Sequence, residues 1–229
     1  MSEQVKTMFS RIAPRYDRMN TILSFGIHHL WRRKAVRLSG AKSGDKILDC
    51  ATGTGDLAFR FSLAAGTSGK VTGLDFSGKM IELAKAKPAK SKSNIEFVTG
   101  DVMRLEYQDN EFDISSISFG IRNVDSPVTG VSEMARVVKP GGKVVVIEFG
   151  QPRGIWSFLY KIYSKLFIPL LGRIFSGEWE AFRYLPDTAS KFPCREDFIS
   201  IMEKTGRFAD CRYYSLSGGI AFIYIGVVK

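Results

Sequence analysis

At 229 residues with 45% hydrophobic content, the chain can bury one sizeable core, and a single α/β domain with an embellishment is the expected organisation. The N-terminus MSEQVKTMF offers no apolar secretory signal, and three scattered cysteines, Cys50, Cys194 and Cys211, exclude a disulfide framework or a cysteine zinc site. A cytoplasmic protein without a metal is expected. The net charge of +10 is uneven: residues 1–46 hold ten Lys/Arg against three Asp/Glu and residues 151–195 seven against three, which points those two segments towards an anionic partner.

In chain order, residues 1–45 read as a basic helical lid. From 46 to 150, short β-branched runs alternate with amphipathic ones, the pattern of βαβ units on a parallel sheet. Strands are predicted at 46–51 (KILDCA), 70–75 (KVTGLD), 95–99 (IEFVT), 112–118 (FDISSIS) and 143–149 (KVVVIEF), with helices at 56–65, 77–87 and 126–138. The last helix is expected to stop at Lys139-Pro140-Gly141-Gly142. AKAKPAKSKS (84–93) reads as a helix end and a solvated loop.

Residues 151–194 form an insert whose greasy stretch, GIWSFLYKIYSKLFIPLLGRIF (154–175), carries Lys161, Lys165 and Arg173. Those charges exclude a spanning helix, since each costs about 2.5–3.5 kcal/mol near the bilayer centre. Ile155, Leu159, Ile162, Leu166, Leu170 and Ile174 recur at helical spacing, with Pro169 bending or dividing the helix. Such a basic amphipathic segment suits a bilayer surface. Residues 195–205 read as a helix, and RYYSLSGGIAFIYIGVV (212–228) as two antiparallel strands turning at Gly218-Gly219.

The loop after the first strand, DCATGTGDLA (49–58), admits two cofactors. As G-x-G-x-x-A with Asp75 following, it suits a dinucleotide, whose pyrophosphate would sit at the helix start. Asp56 occupies that start, and a carboxylate there repels phosphate. S-adenosylmethionine has no phosphate but has an ammonium, which Asp49 can hold directly or through water. Asp75 suits its ribose hydroxyls, and Asp101 its adenine amine. Gly53, Thr54, Gly55, Asp75, Asp101 and Val102 are therefore the expected cofactor contacts, with Ser118 closing the site.

The segment after the fourth strand, SFGIRNV (118–124), lacks the Asn/Asp-Pro-Pro-aromatic loop of amine methylation and has no nearby cysteine nucleophile; Cys194 reads as packing. At this point YDRMN (16–20), SFGIHHLWR (24–32), SFGIRNV, RVVKPGG (136–142) and SGGI (217–220) together resemble the ubiquinone/menaquinone biosynthesis C-methyltransferases over nearly the whole chain. One departure is Ala51-Thr52, where that family tends to carry glycine before GTGD.

The resemblance implies a class I methyltransferase fold: a Rossmann-like, mostly parallel seven-stranded sheet with an antiparallel C-terminal hairpin, an N-terminal helical segment and a helical insert after strand five. It implies one domain, divided into a lid (1–45), a cofactor core (46–150), an apolar and basic substrate insert (151–194) and a C-terminal helix and hairpin (195–229). The implied reaction is methyl transfer to a ring carbon of a prenylated quinol, either a naphthoquinol or a benzoquinol. Arg122 is then expected to stabilise phenolate charge, Asn123 to orient the ring or a water, and His28 to accept the proton, while Tyr16 and Asp17 shape the lid. The insert would roof the prenyl tail and dock peripherally on anionic membrane. Two alternatives stay open: methylation of RNA or another small metabolite, and a non-catalytic binding module. Blocks such as LFIPLL count against nucleic acid, whose grooves interleave charge with stacking aromatics.

Overall fold

The computed structural model describes residue 7 and residues 10–88, 94–160, 162–163, 167, 184 and 187–229. Its helices are α1 (Tyr16–Leu23), α2 (Ile27–Ser39), α3 (Asp56–Ala65), α4 (Gly78–Ala86), α5 (Pro127–Arg136) and α6 (Glu196–Glu203), with a further helical stretch at 155–160. The strands are β1 (Lys46–Cys50), β2 (Lys70–Asp75), β3 (Ile95–Thr99), β4 (Phe112–Ser118), β5 (Val138–Phe149), β6 (Phe208–Leu216) and β7 (Ala221–Val228). They form one sheet in the order β3-β2-β1-β4-β5-β7-β6, parallel from β3 through β5 and antiparallel at β7 and β6.

Helices cover both faces, so the central strands are buried throughout and read as mostly apolar runs: Ile47, Leu48 and Cys50 of β1 are buried, with Asp49 as the buried polar exception. On one face α5 and α6 press Val131, Met134, Phe198 and Met202 onto the sheet. On the other, α2 and α3 contribute Trp31, Ala35, Leu57 and Phe61. Each such fully buried large side chain contributes about 1.5–3 kcal/mol of transfer free energy.

Three boundaries differ from the sequence expectation. Helix α5 ends at Arg136, and β5 starts at Val138, not Lys143. Val138 is fully buried and pairs with Phe112, so Lys139 to Gly142 form a bulge before the register resumes at Ile114 and Lys143. A Cβ on Gly142 would lie 2.6 Å from the Asp113 carbonyl oxygen. Strand β6 likewise starts at Phe208, paired with Val228, ahead of a register shift at Asp210.

The chain reverses its direction of travel between β1 and β4, so the loops leaving their carboxyl ends diverge and open a crevice. The N-terminal segment is tied to that end of the sheet. Ser10 Oγ meets Ser77 Oγ at 3.0 Å, and the Trp31 indole N–H donates to Ser217 Oγ at 3.2 Å. The insert packs against the final turn, where a Cβ on Gly218 would collide with the Trp156 ring. Gly218 also has φ +67, so both sterics and backbone demand glycine. Lys161, Lys165, Leu166, Pro169, Leu170, Arg173 and Ile174 lie outside the described residues. Among the described residues no helix is long and apolar enough to cross a membrane.

Candidate functional site

Strand β1 ends at Cys50, and Ala51 (φ +46) turns the chain into a loop through Gly53 (φ +57) and Gly55 (φ +84) that launches α3. A Cβ on Gly55 would meet the Phe97 ring at 2.8 Å. Beside this loop runs a cleft lined by Tyr16, Gly53, Asp75, Asp101, Val102, Ser118, Phe119 and Asn123, among others. Asp75 ends β2 there, accepting the Gly53 N–H at 2.8 Å on one oxygen and the Ser77 N–H at 2.9 Å on the other. Burial raises its pKa despite those two donors. Asp101 accepts the Met103 N–H at 2.9 Å. The Ser118 hydroxyl is buried at the cleft wall with no hydrogen-bond partner among the described residues.

Three expected contacts, Asp49, Thr54 and Gly55, are not among the residues lining this cleft. Asp49 lies behind the loop, 1% exposed, accepting Thr52 Oγ1 at 2.6 Å and Ser116 Oγ at 2.7 Å. Burial pushes its carboxyl up to about 6. Thr54 is turned to the lid, donating to Asp17 and accepting from Lys87 Nζ at 2.9 Å. Asp56, read from sequence as a charge that excludes phosphate, is paired with Arg32 at 2.9 Å and Lys87 at 2.8 Å. Burial opposes its ionisation, but those two cations outweigh it and hold its carboxyl below the usual range.

A second cavity of about 290 Å³ adjoins the cleft, and Tyr16 and Phe119 line both. Its wall is mostly apolar: Ile12, Met19, Leu23, Phe25, Ile27, Trp31, Phe149, Trp156, Leu159 and Ile220. Phe119 stacks on Phe149 with ring centroids 4.4 Å apart, and a guanidinium caps each ring, Arg32 6.0 Å from Phe119 and Arg122 5.4 Å from Phe149. Arg122 donates to Glu148 at 2.8 Å and to the Phe119 carbonyl at 2.6 Å. Asn123, on the cleft side, accepts the Tyr184 hydroxyl at 2.8 Å.

His28 also lines the cavity. Ser24 gives its single hydroxyl proton to the Asn20 carbonyl at 2.7 Å, so at its 2.5 Å contact with His28 Nδ1 it acts as acceptor. His28 is therefore the Nδ1–H tautomer, and its Nε2 is a buried lone pair without a partner among the described residues. Burial, aided by Arg32 and His29, pushes its pKa down to about 3. A neutral imidazole that weakly basic is an acceptor for hydrogen bonds and a poor store for a proton.

The model of the ubiE/COQ5 methyltransferase family matches residues 1–228. The chain belongs to that family. It is 50% identical over 228 residues to the ubiquinone/menaquinone biosynthesis C-methyltransferase UbiE of Bdellovibrio bacteriovorus, covering 99% of this chain and 97% of the relative. It is 40% identical to a demethylmenaquinone methyltransferase of Staphylococcus aureus, covering 98% and 92%. Solved structures agree in fold. A SAM-dependent methyltransferase from Aquifex aeolicus superposes with a TM-score of 0.60 at 20% identity, covering 86% of this chain and 89% of that one. Haemonchus contortus phosphoethanolamine N-methyltransferase 2, in complex with S-adenosyl-L-methionine, gives 0.62 at 18%, covering 86% and 52%. The chain is thus a methyltransferase with S-adenosylmethionine as its methyl donor.

The cleft fits that donor: two carboxylates stand at successive strand ends, and Ser118 supplies a buried hydroxyl that lacks a partner among the described residues. Three residues of this methyltransferase escaped the sequence reading. Glu148 looks like one more strand residue in VVVIEF, Arg32 like a solvent-facing helix residue and Lys87 like part of a solvated lysine tract. An acid at the end of an apolar strand was the signal for Glu148. His28, His29 and Asp56 bring ligand-type atoms within 4.8 Å of one another. The burial and the cations that depress His28 oppose a dication there even more strongly than a proton, and Asp56 already holds Arg32 and Lys87.

Proposed function

We propose that this methyltransferase moves the S-adenosylmethionine methyl group to a ring carbon of a prenylated quinol. The observation that carries the reading is the meeting of the acid-lined cleft with the apolar cavity across Tyr16 and Phe119. The names of the Bdellovibrio and Staphylococcus relatives point to quinones of the ubiquinone and menaquinone type, and the demethylated naphthoquinol is the acceptor favoured.

The donor's sulfonium supplies an electrophilic methyl, so the chain's residues have three tasks. They align the ring carbon, favour the phenolate and exclude water. Aromatic walls from Phe119, Phe149 and Trp31 hold the ring. Arg122 stabilises developing phenolate charge; its ion pair with Glu148 fixes the guanidinium in place and keeps the cavity from carrying excess charge. Asn123, its side-chain oxygen engaged by Tyr184, offers its amide N–H groups at the cleft. No carboxylate lines the cavity among the described residues, so the ring proton leaves by water at the mouth.

The mouth also favours peripheral docking on anionic membrane. Phe25 (68% exposed) and Leu159 line the cavity and are exposed, Phe25 stands edge-on to Tyr163 and to exposed Phe167, and Leu30, Ile155 and Phe158 add exposed apolar surface on the neighbouring helices. Exposed Arg15, Arg18, Arg33 and Arg37 stand on α1 and α2 or at their start. A prenyl tail threads from lipid past that apolar surface without crossing water. Chromatography with mass detection after incubating the protein with labelled S-adenosylmethionine and prenylated demethylnaphthoquinol tests the reaction. A labelled, methylated ring supports it, and transfer to RNA in place of the quinol overturns it.

A further inference from the structure

The ammonium of Lys87 has three N–H donors and three acceptors, each from a different part of the chain. It meets Asp17 Oδ2 at 2.6 Å, Asp56 Oδ1 at 2.8 Å and Thr54 Oγ1 at 2.9 Å. Asp17 belongs to the lid helix α1, Thr54 to the cofactor loop and Asp56 to the first turn of α3. Thr54 and Asp17 are also bonded to each other directly, and Asp56 continues the chain of charges to Arg32 on the wall of the apolar cavity. Lys87 itself caps the carboxyl end of α4, immediately before Pro88, where its N–H closes on Leu83 and Ala84.

The lid residue beside Asp17 is Tyr16, which lines both cavities and packs against the loop: a Cβ on Gly53 would stand 3.9 Å from its ring. The position of that ring decides whether donor and acceptor share a wall. Side-chain exposure of 26% for Lys87, 41% for Asp17 and 25% for Asp56 leaves the cluster partly open to salt. The contacts can therefore be made and broken while the core stays folded.

We propose that Lys87 is a positioning residue for methyl transfer, which clamps the lid through Asp17 onto the cofactor loop through Thr54 and Asp56 and so holds Tyr16 between the two cavities. Lys87 touches no reacting atom. It acts through the placement of α1, and its role concerns donor binding, so the proposal stands or falls separately from the identity of the quinol.

The variants are Lys87→Met, Lys87→Arg, Asp17→Asn and the Lys87→Met/Asp17→Asn pair. Calorimetry with S-adenosylmethionine should show Kd rising about tenfold in Lys87→Met, partly restored in Lys87→Arg, with the pair no worse than the worse single change. With the donor saturating, kcat should stay within about threefold while the donor KM follows Kd. A second readout needs no cofactor: trypsin should cut the lid at exposed Arg15 and Arg18 faster in Lys87→Met than in wild type, at an unchanged melting temperature. Raised salt should weaken donor binding in wild type and hardly alter it in Lys87→Met. An unchanged Kd, additive losses in the pair, or a lid cut at the wild-type rate would overturn the clamp. If Lys87→Met does not fold, Lys87→Arg and the salt series on wild type decide by the same criteria.

Discussion

Arg122, which lines the apolar cavity, forms a 2.8 Å ion pair with Glu148, their side chains only 3% and 1% exposed. Neither can be removed alone without stranding the other charge in a dry site, which costs about 3–5 kcal/mol. Arg122→Met should therefore lower kcat by about 100-fold or more and also destabilise the fold. Arg122→Met combined with Glu148→Leu should regain most of the stability and none of the rate. Urea unfolding alongside turnover and donor calorimetry separates these effects. Recovery of turnover in the double variant would make the pair structural only.

At Asp75 one carboxylate holds the loop through Gly53 and Ser77 and still faces the cleft. Asp75→Ala should weaken S-adenosylmethionine binding by about 1.5–3 kcal/mol, the value of hydrogen bonds to a charged acceptor. Asp75→Asn should lose less, because its amide oxygen still accepts one backbone N–H. Calorimetry on folded protein decides; equal affinities for wild type and Asp75→Ala would refute the assignment.

With a pKa near 3, His28 is neutral across the working range. Its substitution by Gln, which keeps an acceptor, should retain roughly a third or more of kcat, and the pH–rate profile of wild type should show no limb near the ordinary histidine value of about 6.5. A limb at that pH which disappears in His28→Gln would restore the imidazole as general base.

For Asp49, a folded-state value of about 6 against 3.8 for the unexposed-to-burial reference means that the folded state binds this proton more tightly. Its stabilising contribution is thus complete below 3.8 and is lost as pH rises through about 6. The loss amounts to ~3 kcal/mol. Urea midpoints from acid to neutral pH should fall more steeply in wild type than in Asp49→Asn, which cannot titrate. His28 contributes with the opposite sign over an overlapping window, from 6.5 down to about 3, since the unfolded imidazole takes up its proton first, so the comparison between variants carries the test.

For the membrane reading, Phe25→Ser with Leu30→Ser should cut binding to anionic vesicles by about tenfold, by removing exposed apolar area. Turnover on a soluble, short-tailed quinol should be spared. Sedimentation with phosphatidylserine vesicles is the measurement, and binding equal to wild type would move the docking face elsewhere.

Much of this architecture is legible in the sequence because parallel strands buried on both faces leave β-branched runs, and amphipathic stretches between them leave helical periods. Asp75, Asp101 and Ser118 are legible for a related reason: each stands just past or at the end of a strand, where the fold puts ligands. Pairings between distant residues leave no local pattern. Lys87 looks solvated in AKAKPAKSKS because its three partners lie more than 30 residues away. Asp49 and Thr54 are placed at the cleft by sequence position, while their bonds run to a hydroxyl on β4 and to a lid carboxylate, which local pattern does not show. The Lys139–Gly142 run suits a helix stop, and only the pairing of Val138 with Phe112 makes it a bulge.

Phe119 carries a φ of +58, takes its N–H to the Ile147 carbonyl at 2.7 Å and presents one ring to both cavities. The partition between donor and acceptor is, at that point, a single side chain thick. Shortening it by Phe119→Ala removes the ring that both chambers share and widens the passage between them. Glycine is tolerated at this backbone angle as well. Synthetic donors bearing ethyl or allyl groups would find their room here, which makes residue 119 the place to begin turning this scaffold into a general ring alkylase.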